Sequence, residues 1–132
     1  MTSRVLIVDD DQAVLTVLYK IITANGLDAD TVSCGQEALD AARAGGYDLI
    51  LLDINMQGID GFEVIRTLRA QKINTPIIVV SGRRDDYDTL YGLDIGADDY
   101  VTKPFNPVTL AAKVKALIRR NRAAQSKENH LI

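Results

Sequence analysis

Carboxylates gather where aliphatic runs stop. Asp9, Asp10 and Asp11 directly follow Val5–Val8, and Asp53 directly follows Leu49–Leu52. Ser81 ends the run Ile77–Val80, and Lys103 comes just after the weaker run Tyr100–Thr102. Two carboxylates about 4 Å apart repel by roughly 4 kcal/mol at an effective dielectric near 20, so a packed domain tolerates them when a cation bridges them. Oxygen donors at few points, with positions left for water and phosphate, favour Mg2+ over a soft metal or a fully caged Ca2+. Lys103 brings a second positive charge to the same rim, and Ser81 brings a hydroxyl. A nucleophilic carboxylate, a metal, an ammonium and a hydrogen-bond donor are the parts that phosphoryl transfer to an Asp requires. Taken singly, Asp9 and Asp10 read as loop residues, Ser81 as a turn residue and Lys103 as a solvated charge. Their shared position at the ends of apolar runs raises them together.

The runs themselves fix that position. Val5–Val8, Leu49–Leu52 and Ile77–Val80 are continuous rather than alternating in apolarity, which marks strands covered on both faces, as in a parallel sheet. Ala29–Val32 and Tyr100–Thr102 carry Asp30, Thr31 and Thr102 and suit sheet edges. Between them, Val14, Leu15, Leu18, Ile21 and Ile22 form a helical stripe that Gly26 stops. Ser33 with Gln36, and Asp60 with Glu63, have capping-box spacing before the second and third helices. Asn106-Pro107 opens the last helix, with Leu110, Val114, Leu117 and Ile118 as its inner face. On the fourth helix Leu90 and Leu93 are assigned to the core, which leaves Tyr87 and Tyr91 for a partner. Asp11 reads as the cap of the first helix rather than a metal ligand.

Five strands alternating with five helices predict a doubly wound (βα)5 α/β domain of the flavodoxin-like kind. With the polar strands at the edges, right-handed crossovers favour the order 2-1-3-4-5. Ligands of such sheets bind beyond the carboxyl ends of the strands, where the strand order reverses. That is where Asp9, Asp10 and Asp53 meet.

The 132 residues suffice for one domain, and 47% hydrophobic with 25% charged residues is the balance of an ordinary globular chain. No apolar run reaches the ~20 residues of a membrane span, and no basic-then-apolar signal opens the chain, so a cytoplasmic location and no membrane partner are expected. The single Cys34 cannot form an internal disulfide and is expected to be inert. A net charge of −3 argues against nucleic-acid binding by the domain as a whole. The cluster "RRNR" at 119–122 fits a favourable helix C-terminus.

The motifs "VLIVDDD", "LILLDINMQGIDG", "IIVVSG" and "GADDYVTKPF" in this order resemble the receiver domain of two-component response regulators, over Arg4 to about Arg120. The resemblance implies a CheY-like fold and a phosphorylation-activated switch that accepts a phosphoryl group on Asp53 from a sensor histidine kinase. It implies Mg2+ held by Asp10, Asp53 and the backbone carbonyl of Asn55, with Asp9 acting through water. Lys103 would pair with the phosphoryl oxygens, Ser81 would hydrogen-bond them, and the Lys103-Pro104 peptide would be cis. Ser81 and Tyr100 would move inward on phosphorylation and reshape the face made by helix four, strand five and helix five. Such a chain is no enzyme in the usual sense; it catalyses its own phosphorylation and slow dephosphorylation. Asn55 and Arg83 flank the site where they would tune the phosphoryl lifetime.

"GADDYVTKPFNP" followed by "VKALIRR" is most similar to receivers of the OmpR/PhoB type, which head winged-helix transcription factors. That resemblance implies a homodimer on phosphorylation, through Tyr87, Tyr91, Asp98, Asp99, Lys113 and Arg120. The pattern is altered here: Tyr91 and Thr109 stand where a basic and an acidic residue are usual, and Lys113 stands for an arginine whose planar fork it cannot reproduce. Gln57 replaces the usual proline four residues after the acceptor. Residues 1–120 are assigned to the receiver, and 121–132, which lose helical periodicity, to a tail or a truncated linker toward an absent DNA-binding effector. A stand-alone receiver acting through protein contacts is the alternative.

Two other functions share parts of this pattern. An aspartyl-phosphate phosphatase of the haloacid dehalogenase type needs a second Asp two residues past the nucleophile, and Asn55 stands there. A flavodoxin-like redox carrier needs a hydroxyl- and glycine-rich phosphate cradle after the first strand, where "DDDQAV" would repel the phosphate of FMN.

Overall fold

The structure is a computed structural model that describes the backbone of residues 2–82 and 86–130, with side chains for all of these but 86, 87 and 126–130. The elements run β1 (Arg4–Val8), α1 (Gln12–Ala24), β2 (Asp28–Val32), α2 (Gly35–Ala44), β3 (Leu49–Leu52), α3 (Gly61–Ala70), β4 (Ile77–Ser81), α4 (Asp86–Asp94), β5 (Asp99–Thr102) and α5 (Pro107–His130). All strand pairs are parallel, and the sheet order is β2-β1-β3-β4-β5. The three aliphatic runs are the central strands β1, β3 and β4, and the two polar ones are the edges, as their composition predicts.

Alternation along each central strand feeds two separate cores. Leu6, Val8, Ile50, Leu52, Ile77 and Val79 pack against α2 and α3, with Tyr91 of α4 joining that layer. Val5, Ile7, Leu49, Leu51, Ile78 and Val80 pack against α1 and α5, through Leu15, Leu18, Ile22, Leu110, Val114 and Ile118. Burial on both faces is why these strands show no polar alternation.

Local signals set most helix ends. Asp11 caps α1 by accepting from the amides of Ala13 at 2.9 Å and Val14 at 3.4 Å. Asp60 caps α3 through Glu63 N, and Asn106 caps α5 through Val108 N and Thr109 N. Gly26, at φ +78°, takes the left-handed position that ends α1.

Three expectations give way. The α2 cap is Cys34 rather than Ser33, and it makes no side-chain cap hydrogen bond; its Sγ lies 3.3 Å from Glu37 Oε1. On α4, Leu90 and Leu93 are 67% and 40% exposed instead of buried. The inward positions belong to Tyr91 and, one turn on, Ile95, since at 100° per residue positions 90 and 93 fall on the outer side. Lastly, α5 does not stop near Arg120 but runs to His130. "AAQSKE" consists mostly of residues with good helix propensity, so loss of the apolar stripe ends the packing before it ends the helix. "RRNR" therefore lies inside α5, about two turns short of its C-terminus. No helix among the described residues is long and apolar enough to cross a membrane.

Candidate functional site

Backbone hydrogen bonds lock the carboxyl ends of the strands together. Asp53 N donates to Val8 O at 2.9 Å, Lys103 N to Ser81 O at 2.8 Å, and Asp9 N to Val32 O at 3.3 Å. These bonds bring the first residues past β1 and β3 side by side, at the point where the strand order reverses. Asp9, Asp10 and Asp53 each present an oxygen there, all within 4.8 Å of one another. Asp9 and Asp53 are 1% and 5% exposed, whereas Asp10 is exposed.

Lys103 reaches into this cluster from beyond β5. Its Nζ lies 2.9 Å from Asp9 Oδ2 and 3.7 Å from Asp53 Oδ1. Asp9 Oδ1 in turn accepts from Asp11 N at 2.9 Å, so both oxygens of Asp9 are held. The Lys103-Pro104 peptide is cis, as the resemblance implies. Ser81 is fully buried at the end of β4.

Burial, and next the charge of Asp9, push the Asp53 carboxyl up to about 6 from an ordinary 3.8; Lys103 and the amides of Asn55 and Ile54 oppose the rise without cancelling it. For Lys103, burial acts downward, but its hydrogen bond to Asp9 and the charge of Asp53 outweigh that and raise its pKa, so it remains an ammonium. Three carboxylates around one ammonium leave the site short of positive charge. Hard oxygen donors with that deficit suit a divalent cation such as Mg2+. The arrangement offers a buried carboxylate, more basic than an ordinary one, beside a fixed cation, which is what an acceptor of an anionic group requires.

Tyr100 is half-buried and packs into the core layer of α2 and α3. Its ring edge lies 3.4 Å from where a Cβ on Gly92 would stand. Tyr91 meets Phe62 edge-on at 5.0 Å between centroids; Arg66 lies 5.9 Å above the Tyr91 ring and donates to its hydroxyl. Asp98 accepts from Ile77 N at 2.8 Å and pairs with Arg69 at 3.3 Å, while Asp99 pairs with Lys113 at 2.9 Å. Arg120 is exposed on α5. The side chain of Tyr87, and all of Arg83, lie outside the described residues.

Sequence reading passes over Gly61 and Gly92. A Cβ at position 61 would collide with the carbonyl oxygen of Asp53 and stand 2.8 Å from Cα of Ile54. The first turn of α3 thus lies directly on the backbone that carries the acceptor, and only glycine allows that approach. The available signal is a glycine just inside a helix that a capping Asp has already started.

Known proteins agree with this arrangement. A sequence profile described as "Response regulator receiver domain" matches residues 5–115. The alkaline phosphatase synthesis transcriptional regulatory protein PhoP of Bacillus subtilis is 42% identical over 124 residues, 94% of this chain and 52% of that protein. The cell cycle response regulator CtrA of Brucella ovis is 40% identical over 124 residues, 93% of this chain and 53% of that protein. The chain thus spans about half the length of these curated relatives, and they bear out the resemblance to OmpR/PhoB-type receivers. Among solved structures, the receiver domain of the Francisella response regulator 1452 superposes with a TM-score of 0.88 at 35% identity, covering 91% of this chain and 99% of that one. A CheY-like receiver domain protein from Methanospirillum hungatei gives 0.88 at 27% identity, covering 94% and 99%. Strand order, acidic cluster and relatives converge: the chain belongs to the response regulator receiver domain family.

Proposed function

We propose that this receiver is a phosphorylation-activated switch whose acceptor is Asp53 and whose donor is the phosphohistidine of a sensor histidine kinase. The observation that carries the reading is the placement of Asp53: 5% exposed, 3.7 Å from the Lys103 ammonium, and grouped with Asp9 and Asp10. A carboxylate oxygen of Asp53 attacks phosphorus. The P–N bond breaks with its electron pair returning to the imidazole, and an acyl phosphate forms. Lys103 neutralises the phosphoryl oxygens, and the Ser81 hydroxyl donates to one of them. Asp10 and Asp53, with the Asn55 carbonyl, would hold Mg2+ directly and Asp9 through water. Bound there, the ion supplies the positive charge that offsets repulsion between the carboxylates and an incoming phosphate. The chain catalyses this transfer and the slow hydrolysis that ends it, in which water takes the phosphoryl group as inorganic phosphate and frees the Asp53 carboxylate.

Charge added at Asp53 draws Ser81 toward the phosphate, and Tyr100 turns into the space behind it. The face of α4, β5 and α5 shifts between two pre-existing states and favours a homodimer through Tyr87, Asp98, Asp99, Lys113 and Arg120; Tyr91, turned inward against Phe62, leaves that face to Leu90 and Leu93. Residues 1–120 form the receiver, and 121–132 begin the connection to a DNA-binding effector. The name of the Bacillus subtilis relative, a transcriptional regulatory protein, supports that output.

Intact-mass spectrometry with acetyl phosphate and Mg2+ tests the chemistry. One added phosphoryl group on Asp53 is expected, absent in Asp53→Asn and in EDTA; equal labelling of the variant, or of a different residue, overturns the assignment. Sizing chromatography with beryllofluoride reads the dimer in the same samples.

A further inference from the structure

The cations of "RRNR" need another explanation than the helix C-terminus, because the macrodipole acts only within the last turn of a helix and α5 runs on to His130. Residues 107–122 contain Lys113, Lys115, Arg119, Arg120 and Arg122 and no acid, in a chain whose net charge is −3. Basic charge is thus concentrated on one helix of an otherwise acidic molecule.

Part of that charge borders a groove. Between α1 and α5 lies a depression of about 560 Å³ whose floor includes Ile21, Ala24, Val108 and Ala111. Lys115 and Arg119 stand on its rim, and the same two residues border a second depression of about 300 Å³ with Leu27, Ile118 and Arg122. The two depressions lie on either side of this pair of cations, both against α5. The stretch of α5 that borders them, residues 107–122, is about 24 Å at 1.5 Å per residue, some four helical turns. Val108 leaves 79% of its surface uncovered at one end. At the other, Arg122 is fixed by Asp48 at 3.5 Å.

We infer that the α1–α5 groove is a docking site for an amphipathic helix of a partner protein, with an apolar face for the floor and acidic residues for the Lys115–Arg119 edge. The apolar floor is the argument for a protein helix rather than nucleic acid, since contacts to a phosphate backbone use cations and polar groups. Acidic charge elsewhere on the chain also repels a polyanion, whereas a short acidic helix meets only the basic edge. The groove involves none of Asp9, Asp10, Asp53, Ser81 or Lys103, so it is a different place from the phosphoacceptor.

Fluorescence anisotropy of the full chain with a labelled amphipathic peptide of about 16 residues, Leu and Ala on one face and Glu beside it, tests the inference. A Kd of about 10–100 μM is expected, as for a small transient interface. Lys115→Glu with Arg119→Glu should weaken it at least ~10-fold, and Val108→Ser should weaken it through the floor alone. The same peptide with Lys in place of Glu should not bind. Amide shifts in an NMR titration should fall on Ile21, Ala24, Val108 and Ala111. The proposal is overturned by no binding up to about 1 mM, by binding unchanged in the charge-reversed variant, or by shifts on another face. Tighter binding of a random DNA duplex than of the peptide would replace it with a nucleic-acid contact.

Discussion

The acceptor end of the sheet and the outer face of α4, β5 and α5 are held in different ways. At the acceptor end, the reactive side chains are rooted in strand termini that hydrogen-bond to one another, and Asp9, Asp53 and Ser81 are nearly inaccessible. On the outer face, Asp99 with Lys113 is a contact between side chains at least partly exposed, and Leu90 is uncovered. Backbone-rooted, buried groups shift only when new charge is set beside them, whereas exposed pairs rearrange readily. The proposed switch needs this division, with fixed chemistry at one place and a pliant surface to remodel at another.

Asp53→Asn tests the fixed end most severely: it should lower acetyl-phosphate labelling by more than ~100-fold, a loss read by intact mass. Next is Gly61→Ala. Helix propensity alone would favour alanine by up to ~1 kcal/mol, yet its Cβ has nowhere to go but into the Asp53 carbonyl. Net destabilisation of about 2–3 kcal/mol in urea melts, with slower labelling, is expected; a neutral outcome would mean that the acceptor loop yields freely.

A milder effect concerns pH. The folded pKa of Asp53, about 6, lies above its ordinary 3.8, so the folded state favours the protonated carboxyl. Its contribution to stability is fully present below about 3.8 and is lost as pH rises through 6. In EDTA at pH 7.5, Asp53→Asn should therefore be more stable than the parent by about 1–2 kcal/mol, after discounting for solvent screening. That gain should vanish by pH 4, and an equal gain at both pH values would refute the burial argument.

Away from the acceptor end the effects should shrink. Tyr91→Leu removes the edge-on contact with Phe62 and the Arg66 stack, for about 1 kcal/mol in thermal melts. Lys113→Ala should cost no more than about 0.5 kcal/mol and leave labelling unchanged, since its pair with Asp99 is partly solvated. A larger loss there would make the surface as rigid as the site.

The same contrast governs what is legible in the sequence. Asp9, Asp53, Ser81 and Lys103 can be read because an unbroken aliphatic run signals a covered parallel strand, and strand ends in such sheets must converge. Leu90 and Leu93 mislead because hydrophobicity ranks leucine above tyrosine, while the phase of a short helix is set by what it meets, here Phe62 and Tyr100. Gly61 is invisible as a positioning residue because its reason lies in a segment eight residues earlier that folds back onto it. The extension of α5 escapes a reading by periodicity because helix propensity persists where amphipathicity has ended.

The two-sided alternation of the strands has a further bearing on signalling. Tyr100 stands opposite Val79 in register, and Ser81 shares the parity of Ile77 and Val79, so both lie toward α2 and α3 rather than α1 and α5. An inward step by either would be felt on that side of the sheet, because Ile78 and Val80 point the other way and insulate the opposite layer. A protein seated along the α1–α5 flank would then remain aboard in both signalling states, a standing passenger rather than a reader of the signal.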